Sequence, residues 1–388
     1  MVKLSSPPGL QTDLARSASR LELFFDLAFV LVVAELAGVL SKDLSGRGVL
    51  VFVGLYVVTW WSWASPTLYA NRFDTDDVVF RVMKLASMLG VIGLAASASD
   101  ATGKRVVPFT LCFVILRLLV FAQYARAWRS VPDARPKIQL YLLGSGAAAT
   151  LWSVSLAVPH PWRYVLWAIG LAVDVLVPIG ATFAPGWVPV HLEHLPERLG
   201  LFVILVLGES VAAVASGVHD VQWTLQAVGV GTVCFVLAAG LWWVAFDLGG
   251  GTAKQLLLEA SDNGRRLGED IFFYGHLPIT LGLAAVGVGI EHMILESSQN
   301  EPSQWTRLVL CGGVAVFLAS VSLTNNALTG RWASGWLWPA AAALLAVADA
   351  AVSLPALFVV GALALLVLVV VVVGTVQESK GRIVADQL

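Results

Sequence analysis

Glu22 and Asp26 stand four residues apart in RLELFFDLAFVLVVAEL, residues 20–36, a stretch otherwise built from Leu, Phe, Val and Ala. Four residues is about one helical turn, so both carboxylates share a face. Charges inside hydrocarbon are costly unless paired or hydrated, which makes each one a candidate for function. This pair can hold a cation, pass a proton, or serve as acid and base. The plainer alternative is a polar cluster, with Arg20, that fixes the first helix at the membrane boundary. Glu35 lies nearer the other end of the segment and reads as water-exposed.

A second group lies in HLEHLPERLGLFVILVLGES, residues 191–210. Glu197 and Arg198 open a helix, and Glu209 follows about 18 Å deeper at 1.5 Å per residue. That depth puts Glu209 near mid-bilayer, flanked by Leu207, Gly208 and Val211. His191, Glu193 and His194 lack the i,i+4 spacing of helical metal ligands and read as a surface loop, so no metal site is expected. Arg117 sits inside the apolar run CFVILRLLVF and needs a carboxylate, for which Glu209 and Asp174 are the alternatives. A structural ion pair would explain it equally. LWWVAFD carries Trp242, Trp243 and Asp247 toward one membrane face. In YGHLPITLGLAA, His276 precedes Pro278, whose ring frees a backbone carbonyl. A histidine there can titrate near neutrality and move protons, or simply bond a carbonyl or Tyr274. Glu291, His292 and Asp349 lie near helix ends and read as solvated.

The elements that carry these residues follow from composition. Hydrophobic residues make up 58% of 388, charged residues 13%, and the mean hydropathy is +0.80. Soluble domains run nearer a quarter charged. The expected fold is therefore all-α, a polytopic bundle of about twelve membrane helices, with ten or eleven as alternatives. The runs fall near 22–40, 49–70, 80–98, 106–127, 138–157, 162–184, 198–216, 223–247, 270–291, 305–326, 333–351 and 354–376. The fifth is weakened by Gly and Ala, and the last two are parted only by Ser353–Leu354–Pro355. Residues 248–269 read as a cytoplasmic amphipathic segment. Of 24 Lys and Arg residues, seventeen fall on the N-terminal side of such a bundle, six on the other and Arg117 within a span, which predicts both termini inside. That count places Arg72, Lys84, Lys137 and Arg198 at the inner face. Trp60, Trp61, Trp128, Trp162, Trp187, Trp223, Trp305 and Trp336 read as interfacial belts. The N-terminus lacks the apolar core of a cleavable signal, so the first span is expected to remain as an anchor.

A net charge of −2 excludes a nucleic-acid footprint, and Cys112, Cys234 and Cys311 lack disulfide or thiolate-metal spacing. No nucleotide-binding, nucleophile-elbow or selectivity-filter motif is present, and no cofactor is expected. Helices 1–6 and 7–12 share weak echoes: Arg20-x-x-x-Phe24 with Arg198-x-x-x-Phe202, and Trp60–Trp61 with Trp242–Trp243. A parallel duplication would divide the chain into a tail (1–19), two six-helix halves (20–184 and 185–376) and a second tail (377–388). Chance similarity between apolar helices is the alternative.

ELFFDLAFV (22–30), HLPERLGLFVILVLGES (194–210), LWWVAFD (241–247) and YGHLPITLGLAAVGVGIEH (274–292), in that order, resemble the bacterial low temperature requirement protein A family. The resemblance spans nearly the whole chain, with Ala245 where that family commonly has an aromatic residue. It implies a multipass bacterial inner-membrane protein and carries no agreed molecular activity. A fainter similarity connects Arg20-x-x-x-Phe24-Phe25-Asp26 to the R-x-x-x-F-S-D helix of endosomal potassium-channel proteins built from six-helix repeats. Phe25 replaces the serine, and the second half has Ile204 in place of the aspartate.

Two functions fit. One is a transporter or channel-like protein for a small solute or cation, proton-coupled, with Glu209 central, Arg117 its charge partner, and Asp26 with His276 as relay. The other is an intramembrane enzyme on an apolar substrate such as a lipid, isoprenoid or polyketide, with buried carboxylates as general acid and base. Membrane lipids are the expected surroundings in both, and self-association into a homo-oligomer is compatible with either.

Overall fold

The computed structural model describes residues 4–10, 18–185, 194–248, 262–329 and 337–385. Twelve α-helices run through these residues: α1 (Arg20–Lys42), α2 (Gly46–Arg72), α3 (Val78–Ala98), α4 (Val106–Ser130), α5 (Arg135–Ser155), α6 (Trp162–Thr182), α7 (His194–Asp220), α8 (Leu225–Trp243), α9 (Asp262–Leu295), α10 (Gln304–Thr329), α11 (Leu337–Ala350) and α12 (Ala356–Ala385). A single π turn, Val244–Leu248, prolongs α8. Ten of the helices are long and apolar enough to cross a membrane. The two short of that standard are α5, diluted by Gly, Ser and Ala, and α11, only 14 residues long before the break at Pro355. The chain is a polytopic all-α membrane protein. Residues 249–261, which hold most of the expected amphipathic segment, lie outside the described residues, as do Trp187 and Trp336.

Helices in a bilayer keep apolar residues on both sides, so exposed Leu23, Phe24, Leu27 and Leu31 on α1 mark a lipid-facing stripe rather than a defect. The opposite stripe of α1, with Phe25, Phe29, Val32 and Leu36, is buried.

The chain packs as two units, Met1–Val39 with Phe52–Arg198, and Leu40–Val51 with Leu199–Leu388. In the first unit α3, α4, α5 and α6 pack as successive neighbours. Two aromatic clusters fill it. Trp152 and Trp167 stack with centroids 4.5 Å apart, and Phe113 meets Trp152 at 4.0 Å. Nearer the other ends of these helices, Tyr69, Phe73, Phe80, Tyr124 and Tyr141 share one core, with Tyr124 stacked on Tyr141 at 4.9 Å. A short strand, β1 (Gly9–Leu10), pairs antiparallel with β2 (Phe73–Asp74). Asp77 reinforces that latch. Its carboxylate caps α3 through Phe80 N (2.7 Å), accepts Ser6 N (2.8 Å) and meets Arg126 Nη2 (2.5 Å).

In the second unit the closest pairing is α9 against α10. A Cβ placed on Gly282 would come 2.7 Å from Gly313 O, and one on Gly313 would come 2.8 Å from Gly282 O. Two backbones meet there because neither residue has a side chain, the small-residue packing that membranes favour. Ser303 starts α10, with its hydroxyl accepting Thr306 N at 3.1 Å and its own N–H donating to Glu296 at 2.6 Å.

Several sequence expectations change here. Trp60 and Trp61 are buried mid-helix and belong to the core, whereas Trp162, Trp223 and Trp305 are exposed as interfacial residues would be. Arg72, Lys84, Lys137 and Arg198, placed at the inner face by charge counting, are buried in the protein. Local hydropathy cannot distinguish a cation that meets headgroups from one that meets a neighbouring helix.

Candidate functional site

The first landmark helix opens with a local device. Ser19 Oγ accepts Glu22 N at 3.3 Å, and Glu22 Oε2 accepts Ser19 N at 2.8 Å, a reciprocal capping box. Glu22 thereby has one oxygen fixed to its own helix start and the other, Oε1, turned into the unit. Asp26 lies one turn on, buried on the same face.

Both carboxylates converge on Arg198. Its Nη2 donates to Asp26 Oδ1 at 2.5 Å, and its Nη1 lies 3.3 Å from Glu22 Oε1. Arg198 is fully buried, so Arg20, which is exposed, is not the arginine of this cluster. Trp63 Nε1 on α2 donates to the same Asp26 oxygen at 2.7 Å, and Arg198 sits 6.0 Å from the Trp63 ring centre. His194, one turn before Arg198, places Nε2 3.5 Å from Glu22 Oε1. The Asn71 amide nitrogen lies 3.3 Å from His194 Nδ1. An amide N–H only donates, so Nδ1 is the acceptor in this contact. Lys84 on α3 packs its ammonium 4.3 Å from the Phe25 ring centre, bonds Pro66 O at 3.3 Å and acts electrostatically on Asp26. Two carboxylates thus face two cations, Arg198 and Lys84, with the His194 imidazole beside Glu22. Within this cluster Asp26 Oδ2 and Arg198 Nε are buried without a hydrogen-bond partner among the described residues. Glu197, expected beside Arg198, is instead exposed and accepts Ala18 N at 3.2 Å.

A second buried centre lies in the same unit. Arg117 Nη1 donates to Asp174 Oδ2 at 2.9 Å, and Trp61 Nε1 donates to that oxygen at 2.7 Å. Of the two partners the sequence left open for Arg117, Asp174 is the one it binds; the expected pairing with Glu209 is not made. Trp61 and Trp63 are two residues apart on α2, which turns them about 200° around the helix. The helix therefore stands between two carboxylates and offers an indole N–H to each.

The candidates in the second unit are not joined to one another. Glu209, near the middle of α7, is half-buried and touches α9 where Gly287 leaves room, a Cβ there lying 3.4 Å from Glu209 Cγ. Glu291, one turn beyond Gly287, is the charged group that acts on it. Glu291 itself lies 3.4 Å from Ser41 Oγ, so it is not merely solvated. His276 directs Nδ1 to the Phe272 carbonyl at 2.7 Å, which fixes the proton on that nitrogen and leaves Nε2 as acceptor. Asp247 is exposed in the π turn, and Trp242 and Trp243 are each 44% exposed, as lipid-facing residues are. No hydrogen bond or ion pair links Glu209, His276 and Asp247 among the described residues. Among those residues no group of three His, Cys, Asp or Glu is arranged to hold a metal, and His191 and Glu193 lie outside them.

Sequence reasoning missed Trp63, Asn71, Lys84 and the role of His194. The Ser19-x-x-Glu22 capping box was legible, as was the two-residue offset of Trp61 and Trp63. The pairing of His194 with Glu22 had no local signal.

An uncharacterized protein of Rhizobium meliloti (strain 1021) is 28% identical over 313 residues, covering 78% of this chain and 75% of the relative. The family described as bacterial low temperature requirement A protein matches residues 17–373, which takes in both Glu22–Asp26 and Arg198. This chain belongs to the LtrA family.

Proposed function

We propose that this protein is a transporter or channel-like protein of the bacterial inner membrane for a small solute or cation, coupled to protons through intramembrane carboxylates. Both termini are cytoplasmic in this reading, and the chain carries a duplicated six-helix half. Glu209 is the coupling group, and the Asp26–Arg198 cluster is structural.

One contrast carries the reading. Glu22, Asp26 and Asp174, all within spans, each have a cation or an indole in reach. Glu209 has no hydrogen-bond or ion-pair partner among the described residues, and the charge that acts on it is the like-charged Glu291. A carboxylate so placed is costly unless a proton, a cation or water compensates it, which is the condition of a coupling site.

The test is flux. Proteoliposomes loaded with a pH-sensitive dye, under imposed proton and monovalent-cation gradients, are expected to show protein-dependent flux. Glu209→Gln should abolish it without lowering the melting temperature. Undiminished flux in the Gln variant would overturn the assignment of Glu209.

A further inference from the structure

Within the first unit, residues of α2, α4, α5 and α6 line a partly open cavity of about 10 Å³. A single water needs roughly 10–15 Å³ by the same measure, together with two to four polar partners. The polar side of this cavity includes Asp174, Tyr124 and Ser65.

The three groups share one property. Asp174 uses only Oδ2 for Trp61 and Arg117, and Oδ1 makes no hydrogen bond among the described residues. The Tyr124 hydroxyl makes none either; its ring is held by stacking on Tyr141 and by the edge of Tyr69. The Ser65 hydroxyl, unlike those of Ser62 and Thr67 on the same helix, is not returned to a backbone carbonyl. None of these three atoms is sealed in the packing, although each residue is at most 6% exposed. Each therefore opens on the cavity that the three residues line.

Charge selects the occupant. Arg117 already neutralises Asp174 at 2.9 Å, and Arg72 bonds the hydroxyl of Tyr141, another lining residue. A bound cation would have no countercharge left, and an anion would meet Asp174 Oδ1. A neutral molecule of one heavy atom, able both to donate and to accept, fits all three partners.

We propose that this cavity is an internal hydration site: one water donates to Asp174 Oδ1 and is shared by the Tyr124 and Ser65 hydroxyls. It supplies the carboxylate with the hydrogen bond that the protein omits, deep in the bilayer region. It also gives Asp174 an exchangeable neighbour beside the Tyr124–Tyr141–Arg72 series. The site stands whether or not the protein carries a solute, so it survives or fails independently of the flux experiment.

Radiolytic hydroxyl labelling of the full chain in nanodiscs tests it, because X-ray pulses make radicals from bound water in place. Tyr124 is expected to be labelled several-fold faster than Tyr69, which is equally buried but does not line the cavity. Ser65→Val, which fills space and removes a partner, should reduce Tyr124 labelling several-fold and leave Tyr69 unchanged. Equal labelling of Tyr124 and Tyr69 in the wild-type protein would overturn the proposal, and that comparison holds even if the variant does not fold. Protection of Tyr124 by added ammonium chloride would also overturn it, by showing a cation site instead.

Discussion

Arg198 Nη2 lies 2.5 Å from Asp26 Oδ1, with both side chains buried and 172 positions of chain between them. The contact ties the first turn of α7 to α1. Removing one partner leaves the other as an uncompensated buried charge, which typically costs about 3–5 kcal/mol. Arg198→Ala is expected to lower stability by that order, measured by unfolding in detergent. In a double-mutant cycle, Asp26→Asn with Arg198→Gln should cost less than the sum of the single changes. Additive losses would mean that the pair is not coupled.

The indoles on α2 make a second, separable prediction. Trp63→Phe removes the neutral donor to Asp26, and Trp61→Phe removes the one to Asp174. Each should cost about 1–3 kcal/mol, the usual penalty for leaving a buried acceptor short of a bond. Because the two indoles serve different carboxylates, the double variant should lose the sum of both. A strongly non-additive result would show that the two centres communicate through α2.

Packing in the second unit can be tested at one glycine. Gly282→Ala would drive a methyl group against the Gly313 carbonyl on α10, with no flexible side chain to yield. The expected loss is about 1–3 kcal/mol, as for other overpacked contacts. Gly361→Ala on α12, where a Cβ would meet nothing within 4 Å, is the matched control and should be nearly neutral. Equal effects of the two changes would show that the close approach of α9 and α10 is not what the protein requires.

Acid should release the N-terminal latch. Burial alone would raise the Asp77 carboxyl, but donors from Ser6 N, Phe80 N and Arg126 outweigh it and hold it below the usual carboxylate range. A carboxyl depressed in the folded state contributes stability that is present above its unfolded pKa of about 3.9 and is lost as pH falls through the folded value. The melting temperature should therefore drop as the pH falls below about 4, and Asp77→Asn should flatten that part of the profile. Asn can still cap α3, so the neutral-pH loss should come mainly from Arg126 and amount to about 1–3 kcal/mol. An unchanged acid slope in Asp77→Asn would place the titrating group elsewhere.

Local sequence decided a great deal of this molecule. Length and apolarity located the twelve helices, because a helix in hydrocarbon must satisfy its own backbone and be almost uniformly apolar. Even the weak fifth and eleventh helices were visible, as Gly-rich and short segments. The candidate residues were legible for a related reason: an ionisable group is conspicuous in an apolar run. Glu22, Asp26, Arg117, Asp174, Arg198 and Glu209 could all be read from the chain.

Partnership was not legible. Helical periodicity says which residues share a face, but nothing in it says which face of another helix comes opposite. Arg20 stands beside Glu22 in the chain and is exposed, while Arg198 fills the place between the two carboxylates. Lys84 looked like an inner-face cation and is buried against Phe25. Arg117 had two carboxylates to choose from, and the packing of α4 on α5 and of α5 on α6 gave it Asp174. Sequence alone fixed which charges enter the membrane region, because each residue there bears its own solvation cost. Tertiary structure decided which of them are compensated, because that depends on distances between helices far apart in the chain.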